Sequence, residues 1–317
     1  MTAARTSAGR PRPSWFTRFW AVVRYEMLWN IRKKKFLGLV IVAFILATLI
    51  WALPVVSSGA TGQPIEANPD FAATFSIPGI GLFLFALIIA MNSVSSEFES
   101  GTIVPLLTKP VSRTMVFLGK LLATFIIIFV AYTIIFAYGV IGGALVYGPQ
   151  NNLHLLPLGL LGNIISTFIW ITLILAAGAL SKSTIISTLV AFGLFFGLFF
   201  AVPIVSVFAG PSPVLNYLPG TGATGTMITA QGQIGIGAGT DNIGANLVNY
   251  VLYPSANVDF NMTRIELQDN QPNITQVYAY SEPISVITSR SIATATVYII
   301  VFLFIAWIAF KWAQILE

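Results

Sequence analysis

The chain has 317 residues, of which 56% are hydrophobic and only 9% are charged, and its mean hydropathy is +0.84. Because such a small number of charged residues cannot cover the exposed surface of a soluble domain, the composition excludes an ordinary water-soluble protein. The formal net charge of +5 would indicate nucleic acid as a partner in a soluble protein, but here the placement of the basic residues indicates contact with membrane lipid instead. Because the chain has no cysteine, disulfides, zinc–thiolate sites and a thiol nucleophile are excluded.

The N-terminal part contains two pieces before the first long hydrophobic segment. Residues 1–14 are small, basic and proline-containing, which predicts a flexible cytoplasmic tail. Residues 15–35 repeat apolar side chains at spacings of three and four, with polar side chains on the opposite side of the helical wheel. This pattern predicts an amphipathic helix with aromatic anchors in the membrane interface. The alternative is a juxtamembrane helix that only orients the first span.

Six hydrophobic segments are long enough to cross a bilayer, whose hydrocarbon core of about 30 Å requires about 20 apolar residues per helix. The predicted fold class is therefore an all-α integral membrane protein. The six predicted spans are residues 36–56, 75–94, 117–146, 155–180, 185–208 and 292–310.

The distribution of Lys and Arg gives the orientation of the spans. Nine of the sixteen basic residues precede the first span, and most of the others lie in the even-numbered connections or after the last span. The positive-inside rule therefore predicts a multi-pass protein of the cell membrane with both termini in the cytoplasm. Residues 209–289 are then extracytoplasmic, and residues 290–317 form the sixth span and a cytoplasmic end. The only two glycosylation sequons, at Asn261 and Asn273, lie in this extracytoplasmic segment and are candidate modification sites.

The extracytoplasmic segment has an internal pattern. Residues 219–244 are rich in glycine, which predicts irregular structure, whereas residues 247–253 predict a short helix at the interface. Alternating apolar and polar residues at 258–263, followed by turn residues and a second short run at 277–280, predict a small β-hairpin.

The sequence contains no recognisable catalytic constellation. His154 is the only histidine and falls in a short outer loop, so no Ser-His-Asp arrangement and no histidine-rich metal site can be assembled, and no phosphate-binding loop is present. The predicted spans contain no Asp, Glu or Arg, and Lys120 is their only charged residue. An energy source outside the membrane region is the natural inference. Asn92 and Asn163 are the candidates for a substrate path, although such side chains more often hydrogen-bond neighbouring helices.

The connection after the second span carries the most specific signal. Gly101 can end the helix that leaves the membrane, Thr102 can cap a new short helix, and Pro110 can stop it. The predicted cytoplasmic helix exposes Ile103, Leu106 and Leu107 between charged residues, which favours a docking surface for another protein. Ser112 can then cap the third span.

This connection resembles that of the type-2 ABC exporter permeases, which carry a glutamate-rich stretch, Gly-Thr, a Leu pair, a Pro-Val-Ser-Arg-like turn and a Gly-Lys-Leu at the start of the third span. The matching residues here are Glu97, Glu99, Gly101, Thr102, Leu106, Leu107, Pro110, Val111, Ser112, Arg113, Gly119, Lys120 and Leu121. The resemblance is specific over about 25 residues, and the segment 15–35 also looks like the connecting helix of that family. One departure is that residues 209–289 are longer than the family's usual re-entrant helices.

The resemblance implies a permease without its own ATPase site that works with a cytoplasmic ABC ATP-binding subunit and a second permease copy, as a homodimer or heterodimer. ATP and Mg would then be bound by the partner subunit. It also implies that the short inner helix couples the two, with Glu97, Glu99, Gly101, Thr102, Ile103, Leu106, Leu107 and Arg113 forming or supporting the coupling surface. The alternatives are a channel or secondary transporter outside the ABC class, or a membrane-anchored protein for binding or assembly at the outer surface. Nothing in the sequence selects the transported substrate.

Overall fold

The computed structural model of the chain describes residues 14–100, 111–229, 232–268 and 271–312, apart from the side chains of residues 263–268, 271–274 and 276. The helices in chain order are α1 (Trp15–Arg32), α2 (Lys35–Thr61), α3 (Gly79–Ala90), α4 (Ser95–Glu99), α5 (Arg113–Tyr147), α6 (Leu156–Ser181), α7 (Thr184–Ala209), α8 (Ile243–Leu252) and α9 (Ile284–Trp312). The strands are β1 (Thr224–Thr229), β2 (Gly232–Gly237), β3 (Asn257–Gln268) and β4 (Gln271–Pro283).

Six helical stretches among the described residues are long and apolar enough to cross a membrane, which confirms the prediction of six spans. They are α2, α3 together with α4, α5, α6, α7 and α9. The connection between α6 and α7 is a tight turn in which Lys182 adopts a left-handed conformation and donates its N–H to Gly178 O. We call the end of the bundle with Lys35, Arg113 and Lys182 the basic end, and the opposite end, which carries the strands, the sheet end.

Helix α6 is the centre of the bundle. In its most apolar stretch 78% of the residues are buried, compared with 17%, 22% and 11% in α2, α7 and α9. Helices α2, α7 and α9 therefore present most of their apolar side chains outward, as helices in lipid do. The buried core next to α6 is aromatic, and Trp170 packs edge-on against both Phe83 and Phe195, whose rings stack on each other at 4.2 Å.

The four strands form one antiparallel sheet in the order β2-β1-β3-β4. Strands β3 and β4 form the predicted hairpin, with a register shift between Phe260 and Asn261. The prediction of irregular structure at residues 219–244 was wrong, because β1 and β2 pair there as a second hairpin. The side chains of Met227 and Ile236 are buried in a small apolar core beneath the sheet. The burial of these side chains stabilises the two strands although glycine is unfavourable in a strand.

Helix α8 does not lie on the outside of the molecule but packs between α6 and α9. Gly162 of α6 and Gly244 of α8 allow this close approach, because a side chain at Gly162 would collide with the backbone of Gly244. Close backbone approach through small residues is a common way for helices to pack in membranes.

We predict that Gly162→Ala destabilises the bundle by about 1–3 kcal/mol, because the added methyl group cannot be placed without separating α6 from α8. Gly193→Ala in α7 is the matched control, since nothing lies within 4 Å of its added methyl group. Thermal unfolding followed by tryptophan fluorescence in detergent measures both variants. Equal midpoints for the two would contradict the proposed packing.

Candidate functional site at the basic end

Three charged side chains meet inside the basic end of the bundle. Lys120, in the second turn of α5, has a side chain only 5% exposed, and its Nζ lies 2.7 Å from Glu26 Oε1 and 2.6 Å from Glu97 Oε1. Glu26 belongs to α1 and Glu97 to α4. We call these three residues the buried triad. The triad joins three helices: α1, α4, which precedes residues 101–110, and α5, which follows them.

A buried charge is strongly unfavourable unless it is paired, since removing an ion from water costs several kcal/mol. The ammonium group of Lys120 is satisfied by two carboxylates, but the triad alone carries an excess negative charge. Lys33 and Lys35 line the same small cavity of about 270 Å³ and supply positive charge next to it. The triad is therefore stable as a set, and removing Lys120 leaves two buried carboxylates without the ammonium group that pairs with both.

The triad determines which face of α1 packs against the bundle. Val23, Glu26 and Asn30 are buried, whereas the apolar residues Phe16 and Trp20 are exposed. The predicted helix is present as α1, but its apolar side chains are divided between the two faces, since Val23 packs inward while Phe16 and Trp20 are exposed. Sequence reasoning missed Glu26 because a single carboxylate on a helix that lies in the interface gives no signal until its partner is known.

Glu99 connects the end of α4 to the start of α7. Its carboxylate accepts hydrogen bonds from the Thr184 backbone N–H at 2.7 Å and from the Thr184 hydroxyl at 2.8 Å. The N-cap residue Ser183 gives no side-chain cap of its own, so Glu99 supplies the missing acceptor. A carboxylate at this position is also favoured by the positive end of the helix dipole.

Arg113 connects the start of α5 to the end of α9. Its guanidinium donates to the backbone carbonyl of Lys311 at 2.9 Å, where the last carbonyl groups of a helix have no partner within the helix. The predicted cap is also present, since Ser112 Oγ accepts the Met115 N–H at 3.1 Å. A cation at the C-terminal end of a helix interacts favourably with its dipole.

Residues 101–110 lie outside the described residues, and with them five of the predicted coupling residues, namely Gly101, Thr102, Ile103, Leu106 and Leu107. The residues on both sides of this segment are described. Glu97 and Glu99 precede it and Arg113 follows it, and each of the three is bonded to a different helix. The structure therefore brings the two flanks of the predicted coupling segment into direct contact with α5, α7 and α9.

The two asparagines predicted as a substrate path do not share one site. Asn92 lines the small cavity at the basic end together with Glu97. Asn163 is 1% exposed, accepts the Ile77 N–H at 3.0 Å, and donates to Gly159 O at 2.8 Å. Asn163 therefore holds the chain before α3 against α6.

The remaining sites predicted from sequence lie toward the sheet end. Asn261 is exposed on β3, while the side chain of Asn273 lies outside the described part of the structure. His154 is exposed in the short 3-10 turn Leu153–Leu155, as predicted for a loop residue. Within the described residues, no three His, Asp or Glu side chains are grouped closely enough to hold a metal ion.

We predict that Lys120→Met destabilises the protein by about 3–5 kcal/mol, because Glu26 and Glu97 remain buried without their ion-pair partner. The combined variant K120M/E26Q/E97Q removes all three charges and is expected to recover most of this loss. Lys34→Met is the matched control, since Lys34 is exposed. Thermal unfolding of the purified variants provides the test, and a K120M midpoint equal to that of K34M would contradict the role of the triad.

Comparison with known proteins gives the family. The family described as ABC-2 family transporter protein matches residues 20–314, which include all six spans and the buried triad. No curated protein matches the chain. Members of this family are the membrane-spanning permease components of ABC transporters, as distinct from the ATPase components. The match extends over nearly the whole chain, and the chain therefore belongs to the ABC-2 family of transporter permeases.

Proposed function

We propose that this permease is part of an ATP-driven exporter and couples ATP hydrolysis by a separate ATP-binding subunit to movement of a substrate across the membrane. The observation that carries the proposal is the anchoring of both flanks of residues 101–110. Glu97 is paired with Lys120 of α5, Glu99 caps α7, and Arg113 holds the end of α9. A displacement of the segment by a bound ATPase would act on three spanning helices at once.

In this proposal the ATPase binds the apolar residues Ile103, Leu106 and Leu107, next to Gly101 and Thr102. Glu97 does not contribute to the binding surface directly, since its side chain is only 17% exposed and faces Lys120. Its role is to make the base of the segment rigid. A rigid base transmits a displacement to the packed helices, whereas a flexible base would absorb it.

The complex proposed here contains two permease copies and two ATPase subunits, with ATP and Mg bound by the ATPases. The basic end faces the cytoplasm of the cell, in agreement with the excess of Lys and Arg there, and the sheet end faces outward. The exposed apolar faces of α2, α7 and α9 contact lipid or the second copy.

We expect E97R/G101P to uncouple the ATPase, because it places a second cation beside Lys120 and stiffens the first residue of the coupling segment. The ATPase is co-purified with the permease, and its hydrolysis rate is compared with that of the ATPase alone. The permease-dependent change in rate should fall by about tenfold or more. Membrane insertion should remain intact.

Two further variants separate uncoupling from misfolding. L106D/L107D leaves the buried triad intact and should release the ATPase while the unfolding midpoint stays unchanged. Glu66→Gln, at an exposed position remote from the basic end, should change neither the binding of the ATPase nor the unfolding midpoint. Normal coupling in both E97R/G101P and L106D/L107D would overturn the proposal.

The orientation can be tested separately because the chain has no cysteine of its own. Lys182→Cys and His154→Cys each introduce one thiol at an exposed position. A membrane-impermeant maleimide should label the His154→Cys variant in intact cells, and the Lys182→Cys variant only after permeabilisation. The reverse pattern would invert the proposed topology.

A further inference from the structure

An acidic residue from the segment between α7 and α9 enters the helix bundle. Asp241, in the short 3-10 turn Thr240–Asn242, is 2% exposed. Two side chains of α6 hold this turn: Ser166 Oγ donates to Thr240 O at 2.6 Å, and Trp170 Nε1 donates to Asp241 Oδ1 at 3.3 Å. Burial raises the pKa of Asp241 to about 7, while the Trp170 N–H acts in the opposite direction.

Asp241 lies inside the bundle, between Trp170 of α6 and the first residue of α3, Gly79. Thr184, the first residue of α7, is at the basic end, and Phe195 follows it by eleven residues, or about 16 Å at 1.5 Å per residue. The ring of Phe195 is 5.1 Å from that of Trp170, the residue that hydrogen-bonds Asp241. Phe195 is therefore about halfway across a hydrocarbon core of about 30 Å, and Asp241 lies between Trp170, which packs on Phe195, and the start of α3. An ionisable group at such a depth is a candidate functional group.

A cavity of about 480 Å³ lies beside this carboxylate, between α7 and the loop before β1. Its walls include Trp170, Phe195, Phe199 and Phe200, and Asp241 is the one acidic residue among the described residues that line it. Phe200 and Ile204, which line the cavity, are largely exposed on α7, so the cavity borders the outward-facing side of this helix.

Asp241 contributes to the wall of the cavity between Trp170, which donates to Oδ1, and the start of α3. Its second oxygen, Oδ2, lies against Gly79, where any side chain would collide with it. Gly79 is the first residue of α3, and the positive end of that helix favours the ionised carboxylate. A metal ion does not fit, because a single carboxylate oxygen beside an N–H donor and aromatic rings supplies too few oxygen ligands.

We propose that this cavity binds an organic ammonium group attached to an apolar chain. The carboxylate neutralises the cation, the faces of Trp170 and the neighbouring phenylalanines stabilise it by cation–π contact, and the apolar chain extends along α7 toward lipid. The ligand enters sideways from the bilayer leaflet nearer the sheet end. This inference does not depend on the proposed coupling function, because it concerns binding in the absence of ATP.

The experiment measures binding of dodecyltrimethylammonium to the purified full-length chain in the neutral detergent dodecyl maltoside by calorimetry. Asp241→Asn should weaken binding by about tenfold or more, since it removes the charge and keeps the shape. Asp259→Asn, a carboxylate of the same segment that does not line the cavity, should bind like the parent chain. Dodecanol and tetramethylammonium, which lack the charge and the chain respectively, should bind at least about tenfold more weakly than the probe.

The parent chain gives a second test that does not rely on a variant. A bound cation favours the ionised carboxylate, so binding should release a proton, and the affinity should fall about tenfold or more from about pH 8.5 to about pH 5.5. Tyr132, whose hydroxyl is hydrogen-bonded with Thr167, is a titratable group that interacts electrostatically with Asp241. Unchanged affinity across this range, or equal binding of dodecanol, would overturn the proposal.

Lysophosphatidylcholine tests whether the ammonium group that binds belongs to a membrane lipid or to a free cationic amphiphile. If it binds with the same dependence on Asp241, the ligand is a choline headgroup of the membrane. If only dodecyltrimethylammonium binds, the ligand is a free cationic amphiphile. Binding of both without any dependence on Asp241 would contradict the proposed site.

Discussion

The structure depends on the pairing of one buried ammonium group. Lys120 lies inside a spanning helix, where an unpaired charge would cost several kcal/mol, so it requires carboxylates from elsewhere in the chain. Glu26 and Glu97 supply them, and in doing so they fix α1 against the bundle and set the base of the segment that follows α4. The arrangement of the basic end, and with it the proposed coupling to an ATPase, follows from this requirement.

At the sheet end, the requirement is that buried polar groups of the backbone find hydrogen-bond partners. Non-helical chain within a membrane protein must have its polar groups satisfied by other parts of the protein. Asn163 accepts the Ile77 N–H, Ser166 donates to Thr240 O, and Ser291 donates to Ala238 O at 3.1 Å. The few polar residues of the spans therefore hold irregular segments in place. The same anchoring buries Asp241 inside the bundle.

Much of the fold was predictable because its signals are local. Hydropathy located the six spans, alternation located the β3–β4 hairpin, and Ser112 was correctly predicted to cap α5. The β1–β2 hairpin was missed because glycine weakens a strand pattern, although pairing partners outweighed it here. Glu97, Glu99 and Arg113 were selected by a resemblance, but that resemblance did not contain their partners on α1, α7 and α9.

The sequence by itself determined that this chain has six segments able to span a membrane and which connection resembles that of the type-2 ABC exporter permeases, since each of these depends on composition or on short-range order. Only the tertiary structure decided that Lys120 meets two carboxylates and that Asp241, from the segment between α7 and α9, is buried inside the bundle. Both outcomes depend on contacts between residues far apart in the chain. The free energy of a buried charge is set by the partners that surround it in space, and its neighbours in sequence do not specify them.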